Sequence, residues 1–393
     1  LSCVTQRPLV LAVVANVKQY RAVLYQRLAA RLAAAGIDLR VAYSESHRTE
    51  ALKGDSVDLP PPLGLKVPRR YLLSGRLLAQ RVPIAAMRRA DLIIIVQSNG
   101  YLLNYPLLLA SRLGLKRVAY WGHGYNHQVA PGDIREGFRR IFLNLSDWWF
   151  SYTQRTADYL MSNGVSPERI TVMNNAVDTT AFAAQVAAVT AADIAKVRAE
   201  LSVPDDARIG LFCGSLYGHK QLPFLLDACT RIQAQLADFV LIVAGAGPGA
   251  QELREASERL PWLRYVGAQF GHTKAVLFRS AQVFLNPGLV GLGILDSFAA
   301  GLPFVTTDLP IHSPEIAYLE PGINGLIAPY AADRWAAAVV ELLSDTSRLA
   351  AMGQAALRTS RQYTLENMAE NVAEGIERCL TLYAGARSAD ASK

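Results

Sequence analysis

The sequence predicts an α/β protein made of two parallel-sheet domains in series. Three observations lead there. The chain has 393 residues, the length of two ordinary domains. Short apolar runs alternate with amphipathic stretches, the pattern of strands buried on both faces and covered by helices. That alternation pauses once, in an Ala-rich, charged region at 181–206, and then begins again.

The first series opens with LVLAVV at 9–14, an apolar run of strand length. Residues 21–35 follow as a helix, with Leu24, Leu28, Leu32 and Ala35 at helical spacing and Gly36 as the stop. Further strands are read at 39–43, 91–96, 117–121 and 148–151, with helices at 76–89 (kinked or beginning at Pro83), 105–113 and 153–162 between them. In the second series, strands are read at 209–213, 239–244, 263–266, 283–285 and 303–306. Helices fall at 223–235, 250–259, 273–280 and 295–300. The start of 181–206 is taken as the linker and its body as a helix of the second domain. An amphipathic stretch at 365–383 is expected to return to the first domain, and the small, polar tail from 385 to fray. Open α/β sheets bind ligands beyond the carboxyl ends of their strands, so two such Rossmann-like domains turned toward one another would share a cleft.

Composition narrows the function. Half the residues are hydrophobic and 19% are charged, as in a globular protein. The four Cys are scattered, with no CxxC pair and no zinc-finger spacing. They read as reduced thiols in a cytoplasmic protein without a structural metal. No run reaches the roughly 18 apolar residues of a membrane span, and residues 1–14 read as a tail leading into a first strand, not a signal peptide. The net charge of +7 is uneven: residues 1–182 hold 23 Lys and Arg against 12 Asp and Glu. No basic stripe with interleaved aromatics appears, so nucleic acid is not expected. An anionic membrane surface or a lipid-phosphate acceptor fits the asymmetry, as does a solvated basic surface without a partner. Residues 66–89 hold seven Lys or Arg and no acid among apolar residues. They read either as an amphipathic, membrane-facing stretch or as a core helix with a basic outer face.

The segment NPGLVGLGILDSFAAG at 286–301 carries the strongest chemical signal. A glycine-containing loop leads into a helix start, where unpaired N–H groups and the helix dipole suit a phosphate. Gly291 and Gly293 let backbone approach a ligand, Leu292 and Ile294 flank them, and Asp296 is an acceptor for a ribose diol. The bland alternative is a structural turn with a capping Asp.

This segment resembles the EGFGLxxLEAxAxGxPVV pattern of the family-four retaining glycosyltransferases of the GT-B fold. Asp296 falls on the second of the family's two acids and Gly288 on the first, so one carboxylate is missing. Other segments follow in the family's order. SPERITVMNNAVDTTAF at 166–182 resembles the end of the first domain, with Asn175 and Asp178 on motif positions. FCGSLYGHKQ at 212–221 resembles the first loop of the donor domain. There Gly214 is kept, Ser215 replaces an Arg, and Lys220 falls on the diphosphate-binding Lys. AGAGPG at 244–249, YVG at 265–267, Pro314-Glu315 and Asn324-Gly325 complete the series.

The resemblance implies an acceptor-binding domain over 1–182, a nucleotide-sugar donor domain over 183–365, and a crossover helix and tail over 366–393. It implies transfer of a sugar from a uridine- or guanosine-diphosphate donor, with retention, to a glycan or lipid-linked acceptor in cell-surface polysaccharide synthesis. It implies no cofactor and no metal. Lys220 and the helix N-terminus would stabilise the departing diphosphate. His123, between two glycines in WGHGYNHQ at 121–128, would position the sugar. His127 joins Lys18 and Arg21, on the loop after the first strand, as acceptor contacts. Asn99, Asn104 and Asn126 are further polar candidates without a selecting signal. Two other readings stay open: a GT-B protein that binds nucleotide sugars without catalysis, and a GT-B sugar-nucleotide epimerase. The expected location is cytoplasmic, with peripheral contact at the inner face of the membrane.

Overall fold

The computed structural model describes residues 6–46, 56–73, 75–124 and 142–390, with side chains as far as 382. The chain divides into two compact units, one of residues 1–175 and 365–393, the other of 176–364.

The first unit holds a seven-stranded sheet. Its strands are β1 (Leu9–Val13), β2 (Asp38–Tyr43), β3 (Gly64–Lys66), β6 (Leu92–Val96), β7 (Val118–Gly122), β8 (Trp148–Ser151) and β9 (Ile170–Val172), in the order β3-β2-β1-β6-β7-β8-β9. Every pairing in it is parallel. All five residues of β1 are buried, as continuous apolar strands in a doubly covered sheet must be. The helix Gln19–Ala34 packs Leu24, Leu28 and Leu32 inward.

Residues 66–89 differ from the full helix expected at 76–89 and keep only the part that begins at Pro83. They form an antiparallel hairpin, β4 (Arg69–Leu72) with β5 (Leu77–Gln80), and then a helix of only six residues, Ile84–Arg89. Leu73 at φ 47° and Gly75 at φ 90° make the turn, and Pro83 stands at the helix N-cap. The left-handed turn folds 77–80 back onto 69–72 as a strand, and the helix starts only after Pro83, whose fixed φ suits a helix start.

The second unit holds a six-stranded sheet of β10 (Arg208–Cys213), β11 (Phe239–Ala244), β12 (Leu263–Tyr265), β13 (Val283–Leu285), β14 (Phe304–Thr307) and β15 (Gly325–Ala328). The order is β12-β11-β10-β13-β14-β15, again all parallel. The core around it includes Phe212, Leu241, Val243, Leu285 and Trp335. The expected linker is not extended: helices Thr179–Ala187 and Ala191–Glu200 belong to this unit. Phe182, expected at the end of the first domain, packs edge-on against Phe278 at 5.0 Å. Helices Ala332–Ser344 and Thr346–Ser360 and strand β15 are additions to the elements expected from the sequence.

The final helix, Leu365–Asp390, returns to the first unit. Leu365, Met368, Ala369, Val372, Ala373, Ile376 and Cys379 are buried along one side. Arg31 of the first helix fixes it through Glu370 and Glu377, with N···O distances of 2.8 Å to each.

Candidate functional site

Both sheets have a topological switch point, where successive connections leave in opposite directions. In the first sheet it lies between β1 and β6, in the second between β10 and β13. Crevices at the carboxyl ends of such strands are where ligands bind in this architecture.

At the first switch point lies a cleft of about 270 Å³, walled by Val13, Val14, Ile95 and Val96 at the strand ends. Lys18, Arg21, Tyr101 and Tyr152 also line it. Lys18 stands at the N-cap of helix Gln19–Ala34, where its carbonyl accepts from the Arg21 and Ala22 N–H groups at 2.8 and 3.0 Å. The Arg21 guanidinium donates to Asn175 and to the Met368 sulfur, which hold it at the cleft wall. Tyr25 behind it is buried, and that burial pushes its phenol well above its ordinary pKa.

His123 is exposed, and its ring meets Tyr152 edge-on at 4.3 Å. Its neighbours explain its placing. Gln97 Nε2 donates to the Gly124 carbonyl at 3.0 Å, and the Gly124 N–H donates back to Gln97 Oε1 at 2.8 Å. A Cβ on Gly122 would lie 2.7 Å from that of Gln97, and Gly124 has φ +70°. The two glycines thus lock the turn and leave His123 projecting. His127 and Asn126 lie outside the described residues. Asn104 is a structural residue: its amide donates to the Val96 and Ser98 carbonyls from a buried position. Asp178 caps the helix Thr179–Ala187 by accepting from the Ala181 N–H at 3.0 Å.

At the second switch point the expected donor residues gather. Gly214 and Ser215 follow β10, and residues 286–296 follow β13. The glycines fall into two kinds. Gly288 is crowded: a Cβ there would sit 2.3 Å from the His219 carbonyl oxygen and 2.4 Å from the Lys220 carbonyl carbon. Backbone of the 218–220 turn fills the place where a side chain would stand. A Cβ on Gly214 or Gly291 would meet nothing within 4 Å, and one on Gly293 only the Cys213 carbonyl at 3.9 Å. None of these three has a positive φ. Neither conformation nor packing therefore requires glycine at 214, 291 or 293.

Lys220 donates its Nζ to the Leu289 carbonyl, and the Leu289 N–H donates to the His219 carbonyl at 2.8 Å. These bonds seal the 286–290 loop against the 218–220 turn. Burial lowers the Lys220 pKa to about 8, because desolvation disfavours the ammonium. His312 braces the loop from below. Its Nδ1 accepts from the Val290 N–H at 3.2 Å, which leaves Nε2 to donate to the Thr307 carbonyl at 2.8 Å. Thr307 Oγ1 donates to the Pro287 carbonyl at 2.6 Å. Sequence reasoning missed His312, because it is separated from the loop by β14.

Ile294 turns its side chain into the core, and its N–H donates to the Gly291 carbonyl at 3.2 Å. Leu292 is the N-cap of the seven-residue helix Gly293–Ala299, whose first turn carries Asp296. Asp296 pairs with Lys274 at 2.8 Å, a partner that nothing in the sequence marks. Burial opposes the Lys274 ammonium, but Asp296, with a smaller contribution from Cys213, outweighs it and raises the pKa.

Two family models match this chain: Glycosyltransferase Family 4 over residues 22–181 and Glycosyl transferases group 1 over 207–345. The chain belongs to these glycosyltransferases. A glycosyltransferase of Salmonella typhimurium named for colanic acid biosynthesis is 27% identical over 55% of this chain and 50% of its own. A D-inositol 3-phosphate glycosyltransferase of Thermobispora bispora is 28% identical over 64% of this chain and 63% of its own. The chain thus spans about half to two thirds of the length of these curated relatives. Among solved structures, HepE of Anabaena in complex with UDP superposes with a TM-score of 0.67 at 17% identity, covering 94% of this chain and 99% of its own. Sucrose-phosphate synthase of Thermosynechococcus elongatus gives 0.65 at 17% identity, covering 96% of this chain and 100% of its own. The fold is GT-B, as this family's motifs implied.

Proposed function

We propose that this glycosyltransferase moves a sugar, with retention, from a uridine- or guanosine-diphosphate donor to a glycan or lipid-linked acceptor in cell-surface polysaccharide synthesis. One observation carries the reading. At the switch point of the second sheet, three glycines with open space above them stand beside a largely buried Lys and a carboxylate. That arrangement suits a nucleoside diphosphate: close backbone approach for the phosphates, a cation for the leaving charge, an acid for the ribose. Lys220 stabilises the diphosphate as it departs, with no metal or cofactor assigned. Asp296 holds the ribose. His123 positions the sugar, and Lys18, Arg21 and His127 meet the acceptor.

Calorimetric titration with UDP and GDP tests this reading. One nucleotide should bind saturably, at least tenfold more weakly to Lys220→Ala and Asp296→Ala, since bonds to charged groups contribute roughly 1.5–3 kcal/mol each. Gly291→Ala and Gly293→Ala should fold normally yet bind more weakly. Binding of neither nucleotide would remove the donor site from this cleft. Saturable binding without transfer to any acceptor would favour the non-catalytic reading, which the crowded Gly288 and the Ser215 replacement support.

The acceptor side of the proposal includes peripheral contact with an anionic membrane from the cytoplasmic side. Ile84, Leu109, Leu113 and Leu115 are exposed by 63, 59, 62 and 71%. The Lys116 ammonium donates to the Arg88 carbonyl at 2.9 Å, which brings this apolar turn beside the basic helix Ile84–Arg89. Among the described residues no single helix is long and apolar enough to cross a membrane. Sedimentation with phosphatidylglycerol vesicles should show binding at low salt that weakens at high salt. No binding at low salt removes the membrane from the proposal.

A further inference from the structure

Lys274 lies in the helix Gly271–Ser280, between the motif segments at 265–267 and 286–301 and in neither of them. Its Nζ is 2.8 Å from Asp296 Oδ2, and both side chains are about a fifth exposed, at 22% each. The ammonium also stands 4.5 Å from the centre of the Phe182 ring and 5.5 Å from that of Phe278. The Cys213 thiol, at the carboxyl end of β10, lies within electrostatic reach of both charges. The pair therefore sits at the switch point, beside the open Gly214 and Gly293.

Stability does not account for such a pair. Taking two charges largely out of water costs about as much as their attraction returns, and apolar residues of similar volume would serve the core as well. The chemistry of a ribose diol does account for it. Each ribose hydroxyl both donates and accepts a hydrogen bond, whereas a carboxylate only accepts and an ammonium only donates. Asp296 alone satisfies the donor half of a diol. With Lys274 on Oδ2, the carboxylate is fixed in one orientation, Oδ1 is left for a hydroxyl, and the ammonium offers its remaining N–H groups to the hydroxyl oxygens.

We infer that Lys274 and Asp296 form one specificity-determining unit that reads the ribose diol of the donor nucleotide. This rests on the donor-site reading above and deepens it. Lys274 acts partly through Asp296, as a positioning residue, and partly as the donor that the acid lacks.

The test is calorimetric titration of UDP and GDP, and of their 2′-deoxy forms, into the full chain and into Lys274→Met, Lys274→Arg and Asp296→Asn. Methionine is close in length to the lysine stem and packs well against Phe182 and Phe278, but it leaves the largely buried Asp296 without its cation, so melting is measured alongside binding. Should it melt early, Lys274→Gln is read in its place. The parent should prefer the ribonucleotide by about tenfold or more. Lys274→Met should lose most of that preference, and Lys274→Arg should keep it. If Lys274→Met discriminates as the parent does while Asp296→Asn does not, the inference is overturned and the donor site stands. If the parent binds neither nucleotide, or Asp296→Asn leaves discrimination intact, the donor-site reading falls and Lys274 falls with it.

Discussion

Lys220 shows what one residue's surroundings do to its chemistry. Burial brings its pKa to about 8. The folded chain then binds fewer protons there than the unfolded chain between about 8 and the ordinary lysine value, so this group makes stability rise with pH across that window. Binding has the opposite sign. A diphosphate favours the ammonium, so affinity should fall as pH rises from about 7 to about 9, with a proton taken up on binding. Lys220→Arg, which stays charged, should flatten that profile. Calorimetry in two buffers of different ionisation enthalpy measures both effects, and a flat parent profile would remove Lys220 from the diphosphate contact. The sequence presented Gly214, Gly288, Gly291 and Gly293 as one class of residue. Their difference lies in what surrounds each, and only the packing of His219 and Lys220 against Gly288 reveals it.

Among the elements, the last helix and the hairpin read from the sequence with opposite success. The stretch after 365 has an unbroken helical period, and its apolar side is buried in the first unit. Ile376, fully buried there, should destabilise that unit by about 2–5 kcal/mol on change to Ala, measured by urea denaturation. A loss below about 1 kcal/mol would mean that the helix is not integral to the unit. Residues 66–89 also mix charged and apolar residues, here with basic charges alone, but become strand, turn, strand and a short helix. Their apolar residues suit either period over so short a run; the left-handed turn at Leu73 and Gly75 pairs 77–80 with 69–72, and the helix begins only after Pro83.

For the molecule as a whole, the two units differ in how the chain builds them. The second is one continuous segment, 176–364, and it contains Gly214, Lys220, Lys274, Gly291, Gly293 and Asp296. The fragment 176–364 should therefore fold and bind the nucleotide by itself, whereas 1–175 should remain unfolded without 365–393. Circular dichroism and titration of the two fragments check this. A fragment 176–364 that folds without binding would show that the donor site needs residues of the other unit.

Local signals in the chain were enough for the α/β class, the strands of both sheets other than the edge strands β3, β9 and β15, the family, and the segments that hold Lys220 and Asp296. Those signals are apolar runs, helical spacing, and glycine loops of fixed spacing. The strand orders, which place the two sites at switch points, came only from the folded molecule. So did Lys274 on Asp296, His312 under the 286–290 loop, and the backbone that fills the place of a side chain at Gly288. Each of these is a contact between elements far apart along the chain. Folding makes such contacts through packing and charge pairing, and no local periodicity encodes them.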